Sequence, residues 1–125
     1  MKILIVDDDN GTLNAVKVGL LSKGHEALIA GSGEEALKII KARKSGAEPL
    51  DLLLTDLRMP KMDGLRLIRA ARKIMPDIKA ILMTAYGDDN VKKKTRALGQ
   101  CGYLDKPFRP ETLIKMIMTY GIDDC

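Results

Sequence analysis

The chain has 125 residues, 46% of them apolar and 30% charged, and a formal net charge of +4. This length and balance predict one folded domain with a continuous core and exclude a disordered chain. The apolar stretches are too short to span a bilayer and no signal peptide is recognisable, so we expect no membrane association and a cytoplasmic location. Aromatic residues make up only 3%, and the basic segment 92–96 is typical of a solvated helix face. We therefore expect no direct nucleic-acid binding by this domain.

Five short apolar runs predict buried strands. They lie at residues 2–6, 26–30, 51–55, 79–83 and 102–104. Three of them are continuously apolar instead of alternating, which is typical of strands that helices cover on both faces.

Segments of helical length follow these strands, with apolar residues recurring every three or four positions. Four such faces consist of Leu13, Val16 and Leu20; Ala36, Leu37 and Ile40; Leu65, Ile68 and Ala71; and Leu113, Met116, Ile117 and Tyr120. The segment 88–98 aligns only Val91, Thr95 and Leu98, so we expect a helix that packs thinly. Residues 45–50 are predicted to form a loop.

The strict alternation of strand and helix predicts an α/β fold with a parallel sheet and right-handed crossovers. In open sheets of this kind, ligands bind beyond the carboxyl ends of the strands, at the point where the strand order reverses.

Acidic residues occupy these ends in two of the predicted strands. Asp7 and Asp8, with Asp9 beside them, follow the first strand, and Asp56 follows the third. Each acid alone also fits a turn or a helix cap. Clustered carboxylates repel one another, however, so that a cluster needs a compensating cation. Because Mg²⁺ prefers oxygen ligands, the pattern predicts a magnesium site and metal-assisted chemistry at this edge.

Two other polar residues follow the fourth and fifth strands, namely Thr84 and Lys106. Thr84 also fits a cap and Lys106 a solvated charge. Their position after strands favours a shared site, in which the ammonium group neutralises the acids and can hold a phosphoryl oxygen.

This ordered set resembles the receiver domain of bacterial two-component response regulators. The motifs are Asp7-Asp8, Asp56, Met59-Pro60 with Asp63-Gly64, Thr84-Ala85 and Lys106-Pro107-Phe108, and the similarity runs over residues 2–120. It implies a flavodoxin-like, doubly wound five-stranded parallel sheet of order 2-1-3-4-5, with five helices on both faces. It also implies a single receiver domain over residues 1–125.

The resemblance further implies how the acids act. Asp56 is the expected phosphoacceptor, which takes a phosphoryl group from the phosphohistidine of a sensor histidine kinase or a phosphotransfer protein. Asp8, Asp56 and the backbone carbonyl of Arg58 are the expected Mg²⁺ ligands, and Asp7 is expected to act through water or charge.

The remaining roles that the resemblance implies concern the conformational change that follows phosphorylation and controls a partner. Lys106 is expected to pair with the acceptor carboxylate and then with the phosphate. Thr84 and Tyr103 are the expected switch residues, and the face formed by the fourth helix, fifth strand and fifth helix is expected to bind a downstream target or output domain. Arg58 and Tyr86, two positions after the acceptor and after Thr84, cannot activate a water as base, so we expect slow autodephosphorylation.

Two other functions are weighed against this switch. A Mg²⁺-dependent phosphatase that turns over an aspartyl phosphate needs a substrate-closing cap and usually a second acid two positions after the nucleophile, where Arg58 stands. A degenerate receiver that only docks a partner would lack the acceptor, the acids or the lysine. Both a stand-alone receiver and a segment of a longer regulator fit this sequence.

Overall fold

A computed structural model of the protein describes residues 1–45, 48–85, 87–99 and 101–122. Within these residues, strand and helix alternate five times, as predicted. The elements are β1 (Lys2–Val6), α1 (Asn10–Ser22), β2 (Glu26–Ala30), α2 (Gly33–Ser45), β3 (Leu52–Asp56), α3 (Gly64–Ile74), β4 (Lys79–Thr84), α4 (Asp89–Leu98), β5 (Cys101–Asp105) and α5 (Pro110–Ile122).

The five strands form one parallel sheet in the order β2-β1-β3-β4-β5, which confirms the predicted topology. Side chains of β1 alternate between its two faces. Leu4 and Val6 enter a core cluster with α2 and α3, whereas Ile3 and Ile5 enter a second cluster with α1 and α5. Every residue of β3 is buried, which explains why its apolar run does not alternate.

Several predicted boundaries were wrong by one residue. β3 runs one position later than predicted and ends at Asp56, β4 continues to Thr84, and β5 extends over Cys101–Asp105. The sheet ladder continues past the apolar side chains, since Leu57 N still donates to Met83 O at 3.0 Å. Polar residues predicted to follow β3 and β4 are thus the last residues of these strands. α2 includes Ser45, so the predicted loop 45–50 begins later, and 46–47 lie outside the described residues.

Aspartates begin three of the helices. Asp9, Asp63 and Asp88 are the N-caps of α1, α3 and α4, and each carboxylate accepts a hydrogen bond from a backbone N–H two or three residues later. Asp9, the third acid of the first cluster, therefore has a structural role. No helix among the described residues is long and apolar enough to cross a membrane.

Gly64 lets α3 begin directly against β3. A Cβ atom at this position would lie 2.2 Å from the backbone oxygen of Asp56 and 2.8 Å from Leu82 Cδ1. The glycine of the Asp63-Gly64 motif is thus required by the close approach of two backbones beside the acceptor position.

Gly64→Ala is expected to lower the free energy of unfolding by about 3 kcal/mol, because a backbone oxygen cannot rotate away from the new methyl group. Chemical denaturation measures this loss. The matched control is Gly11→Ala in α1, where the nearest atom to a Cβ is the Asp9 side-chain oxygen at 3.4 Å. That variant is expected to be as stable as the wild type or up to ~1 kcal/mol more stable. Equal stability of both variants would contradict the assigned clash.

Candidate functional site

Three carboxylates meet at the carboxyl edge of the sheet. Asp7 and Asp8 follow β1, and Asp56 ends the neighbouring β3. One carboxylate oxygen from each lies within 4.8 Å of the others. Asp7 is 1% exposed and Asp56 8%, while Asp8 is open to solvent. The structure therefore brings together the acids that the sequence placed at strand ends.

Lys106 joins the two buried carboxylates. Its Nζ donates to Asp7 Oδ2 at 2.7 Å and lies 3.3 Å from Asp56 Oδ1. The other oxygen of Asp7 accepts a hydrogen bond from Asp9 N at 3.0 Å. The family resemblance emphasised pairing of Lys106 with the acceptor, whereas the shorter contact is to Asp7. Both acids follow strands, and nothing in the sequence indicates which of them lies closer to the lysine.

The charges of these groups affect one another. Burial, and then the negative charge of Asp7, raise the pKa of the Asp56 carboxyl even though Lys106 opposes the shift. Burial alone would lower the pKa of Lys106, but its hydrogen bond to Asp7 and the charges of Asp56 and Asp7 raise it on balance. One ammonium group thus leaves the three carboxylates incompletely compensated.

Asp56→Asn is accordingly expected to stabilise the fold when divalent cations are chelated. Since the carboxyl pKa is raised in the folded state, ionised Asp56 destabilises it; the cost is absent below the unfolded pKa and full above the folded pKa. The gain should therefore be small in acid and reach about 1 kcal/mol at neutral pH, or roughly 4 °C in Tm. Thermal unfolding at several pH values measures it.

Asp51→Asn is the matched control. Asp51 lies just before β3, at the opposite edge of the sheet, where it accepts a hydrogen bond from Lys2 N at 2.7 Å that an amide oxygen can also accept. A gain in stability for Asp56→Asn that is the same at every pH, or that Asp51→Asn shares, would show that the gain does not come from removing the charge of Asp56.

Thr84 and Lys106 come to the same edge from β4 and from the end of β5. The backbone N–H of Lys106 donates to Thr84 O at 2.9 Å, which extends the ladder between these strands. Thr84 is 1% exposed. The following Lys106–Pro107 peptide bond is cis. The hydroxyl and the ammonium group are therefore carried by adjacent strand ends, as the sequence predicted.

Tyr103 on β5 has its hydroxyl group buried without a hydrogen-bond partner. Burial, followed by the carboxylates of Asp105 and Asp88, raises the pKa of Tyr103 to about 12. A Cβ atom at Gly87 would lie 1.3 Å from this hydroxyl oxygen, so the Tyr103 hydroxyl can occupy its position only because residue 87 is a glycine. The Lys92 ammonium group lies 5.5 Å from the ring centroid. Tyr103 thus connects α4 with the loop that follows Thr84.

Arg58 and Tyr86 are the two residues predicted to slow autodephosphorylation. Arg58 is exposed in the loop after β3, beside a cleft of about 550 Å³ that Met59, Val91 and Lys94 also line. Tyr86 lies outside the described residues.

The acidic cluster suits a hard divalent cation. Asp7, Asp8 and Asp56 offer oxygen donors alone, which is the donor chemistry of Mg²⁺ and Ca²⁺ and not of softer metals. The exposed carboxylate of Asp8 leaves the cluster open to solvent on one side, as Mg²⁺ requires because it keeps several of its waters.

Comparison with known proteins decides the family. A family model for the response regulator receiver domain matches residues 3–118. The chain belongs to this receiver family. Receiver domains are phosphorylatable switches of two-component signal transduction, so both the resemblance predicted from the motifs and the flavodoxin-like fold are confirmed.

Relatives agree with this assignment. The transcriptional regulatory protein GlrR of Escherichia coli (strain K12) is 33% identical over 115 residues, which cover 92% of this chain and 25% of GlrR. Sporulation initiation phosphotransferase F of Bacillus subtilis (strain 168) is 30% identical over 119 residues, or 95% of this chain and 92% of the relative. The chain spans about a quarter of the length of GlrR and of two further relatives, the transcriptional regulatory protein QseF of Escherichia coli O157:H7 and the response regulator protein FleR of Pseudomonas aeruginosa. It spans nearly all of the sporulation protein.

Solved receiver structures have the same architecture. The crystal structure of a response regulator receiver domain protein from Methanospirillum hungatei JF-1 superposes with a TM-score of 0.85 at 33% identity, covering 94% of this chain and 90% of that one. The chemotaxis protein CheY4 of Vibrio cholerae superposes with a TM-score of 0.83 at 32% identity, covering 95% and 97%.

Proposed function

We propose that residues 1–125 form a single receiver domain that accepts a phosphoryl group on Asp56 from a phosphohistidine and then changes conformation to control a partner or output domain. The convergence of three carboxylates and Lys106 at the carboxyl edge of the sheet carries this proposal. Asp56 is the proposed acceptor because it is less deeply buried than Asp7, at 8% against 1% exposed, and because the Lys106 ammonium group lies 3.3 Å from it.

Phosphoryl transfer requires that negative charge be compensated. One oxygen of Asp56 attacks phosphorus, the bond from phosphorus to the histidine nitrogen breaks, and the imidazole keeps the electron pair and takes up a proton. A carboxylate attacks an anionic phosphoryl group poorly unless nearby cations neutralise it. Lys106, 3.3 Å from Asp56, supplies one such charge and can follow the transferred oxygens.

Asp8, Asp56 and the backbone carbonyl of Arg58 are the proposed ligands of Mg²⁺, with Asp7 acting through water or charge. When bound, Mg²⁺ supplies the positive charge that one lysine does not provide and orients phosphoryl oxygens. Asp7 meanwhile holds Lys106 in place at 2.7 Å, so that this buried acid positions the ammonium group.

The switch is proposed to start at Thr84. An acyl phosphate adds charge and strong acceptor oxygens, which draw the Thr84 hydroxyl towards them. Tyr103, whose hydroxyl lies against Gly87 in the segment after Thr84, can then turn into the space released. This motion changes the face of α4, β5 and α5, the proposed surface for the downstream target or output domain.

The part of α1 nearest the site, with the segment that follows β5, offers a second surface, for the phosphodonor. Ala15 and Val16 of α1 and Phe108 after β5 supply its apolar side chains. A cavity of about 420 Å³, lined by α1 and by the segment that follows β5, reaches Lys106. These features support docking of a histidine kinase or phosphotransfer protein over the acceptor. Because a kinase draws its phosphate from ATP, we expect this exchange in the cytoplasm.

Incubation with a labelled small phosphodonor and Mg²⁺ tests the proposed function. A switch gives one stable adduct per chain, detected by intact mass. Continuous phosphate release without a lasting adduct would instead indicate a phosphatase, and the absence of any adduct would indicate a docking module. Self-phosphorylation and slow autodephosphorylation are the only catalytic activities that we propose for this signalling switch.

The adduct is expected to be lost slowly. Arg58, two positions after the acceptor, cannot accept a proton from an attacking water near neutral pH. Arg58→Asn, which presents a carboxamide able to orient that water, is expected to speed decay at least several-fold, measured by intact mass over time in Mg²⁺. Arg66→Asn, at an exposed position of α3, is the control and should decay as the wild type does. Wild-type decay within seconds would show that this interpretation of Arg58 is wrong.

A further inference from the structure

Arg72, in the last turn of α3, contacts the backbone of two other segments through its guanidinium group. Its Nη1 donates to the carbonyl oxygens of Leu98 and Gly99, at 2.6 Å each. Its Nε donates to the carbonyl oxygen of Ile78, just before β4, at 3.2 Å. One side chain thereby joins the end of α3, the start of β4 and the C-terminal end of α4.

The carbonyl groups that Arg72 contacts at α4 belong to a helix end. Leu98 is the last residue of α4 and Gly99 is its C-cap. The last four carbonyl groups of a helix have no partner within the helix. A guanidinium group suits them, because it presents a planar fork of donors and its fixed positive charge interacts favourably with the negative end of the helix dipole. Arg72 therefore caps α4 from a neighbouring helix.

Other contacts of α4 with the domain are sparse. Of its residues 89–98, all described, only Thr95 is buried, and its hydroxyl donates to Val91 O within the helix at 2.8 Å. Val91 and Leu98 are partly buried against the core. At the N-terminal end, Asp88 accepts from Val91 N, a contact that moves with the helix. The C-terminal end is thus the one tied by charged hydrogen bonds to α3.

We propose that Arg72 is a positioning residue that fixes the C-terminal end of α4, so that α4 responds to phosphorylation by moving at its N-terminal end about a pivot at residues 98–99. The pivot rests on the proposed function, since phosphorylation of Asp56 is its trigger. The N-terminal end of α4 follows Thr84 by only a few residues along the chain. Its far end is held by Arg72 from the last turn of α3, at the opposite end of that helix from Gly64, which packs against Asp56.

Residue-resolved amide hydrogen exchange of the unphosphorylated chain tests the anchor. In Arg72→Gln, the amides of residues 95–99 are expected to exchange at least about ten-fold faster than in the wild type. Arg72→Lys, which keeps the charge but loses the fork, should give an intermediate increase. Arg69→Gln, at an exposed position of the same helix, should give none. Unchanged exchange at 95–99 in Arg72→Gln, or an equal increase in the core strand β1, overturns the anchor.

The pivot is tested by repeating the measurement with Mg²⁺ and beryllofluoride as the phosphoryl mimic. In the wild type the change should be confined to residues 89–92, and in Arg72→Gln it should extend to 95–99. An equal change at both ends of wild-type α4 overturns the pivot. Intact mass with a small phosphodonor separates the two proposals: if no adduct forms, the proposed function fails and the pivot with it, while the exchange of the unphosphorylated chain still decides the anchor.

Discussion

Asp56→Asn is expected to abolish phosphoryl acceptance, with the rate of adduct formation falling by at least about 10³-fold. The amide preserves the shape of the side chain but cannot act as a nucleophile towards phosphorus. Asp7 remains to bind Lys106 at 2.7 Å, so the lysine should keep its position in the variant. The measurement is intact mass after incubation with a small phosphodonor and Mg²⁺.

Asp51→Asn serves as the control for this loss too, because it changes one charge near the same strand but at the opposite edge of the sheet. It should be labelled as fully as the wild type. Full labelling of Asp56→Asn would remove Asp56 from the acceptor role and direct attention to the other acids of the cluster.

Asp8→Asn is expected to weaken Mg²⁺ binding and Mg²⁺-dependent labelling by at least about 100-fold. Asp8 is the exposed member of the acidic cluster, and its carboxylate is proposed to bind the metal together with the carboxylate of Asp56. Removing the charge leaves fewer oxygen ligands for a cation that gives up its waters reluctantly. Calorimetric titration with Mg²⁺ and the labelling rate should show the same loss.

Asp9→Asn is a close control for this second prediction. Asp9 is the next acid along the chain, yet it caps α1, and asparagine caps helices as well as aspartate does. The variant therefore removes the same charge one position away while keeping the local structure, and it should bind Mg²⁺ nearly as the wild type does. Wild-type labelling that proceeds at the same rate in excess chelator would show that the reaction does not need a metal.

The architecture and the composition of the site could be predicted because local pattern determines them. Continuous apolar runs give buried strands, alternation with helices gives a parallel sheet, and acids at the ends of neighbouring strands must then lie together. The strand order itself came from the family resemblance, since periodicity does not say which strand lies beside which. Boundaries were less accurate because ladder hydrogen bonds extend past the last apolar side chain, as at Thr84.

Contacts between distant side chains and backbones could not be predicted. Lys106 lies closer to Asp7 than to Asp56, by 2.7 Å against 3.3 Å, a difference that depends on the relative offset of three strand ends. Arg72 looks like a solvated charge in an amphipathic helix, and nothing local relates it to carbonyl groups 26 and 27 residues later. Gly64 was part of a recognised motif, but its physical reason, the 2.2 Å approach to a backbone oxygen, appears only in three dimensions.

The most direct test of the central claim is to locate the phosphoryl group. Borohydride reduction converts an aspartyl phosphate to homoserine, which marks the acceptor permanently, and peptide mass spectrometry then identifies its position. After incubation with a small phosphodonor, homoserine should appear at position 56 when Mg²⁺ is present and should be absent when Mg²⁺ is chelated. Homoserine at position 7 or 8, or equal conversion at position 56 in chelator, would contradict the account.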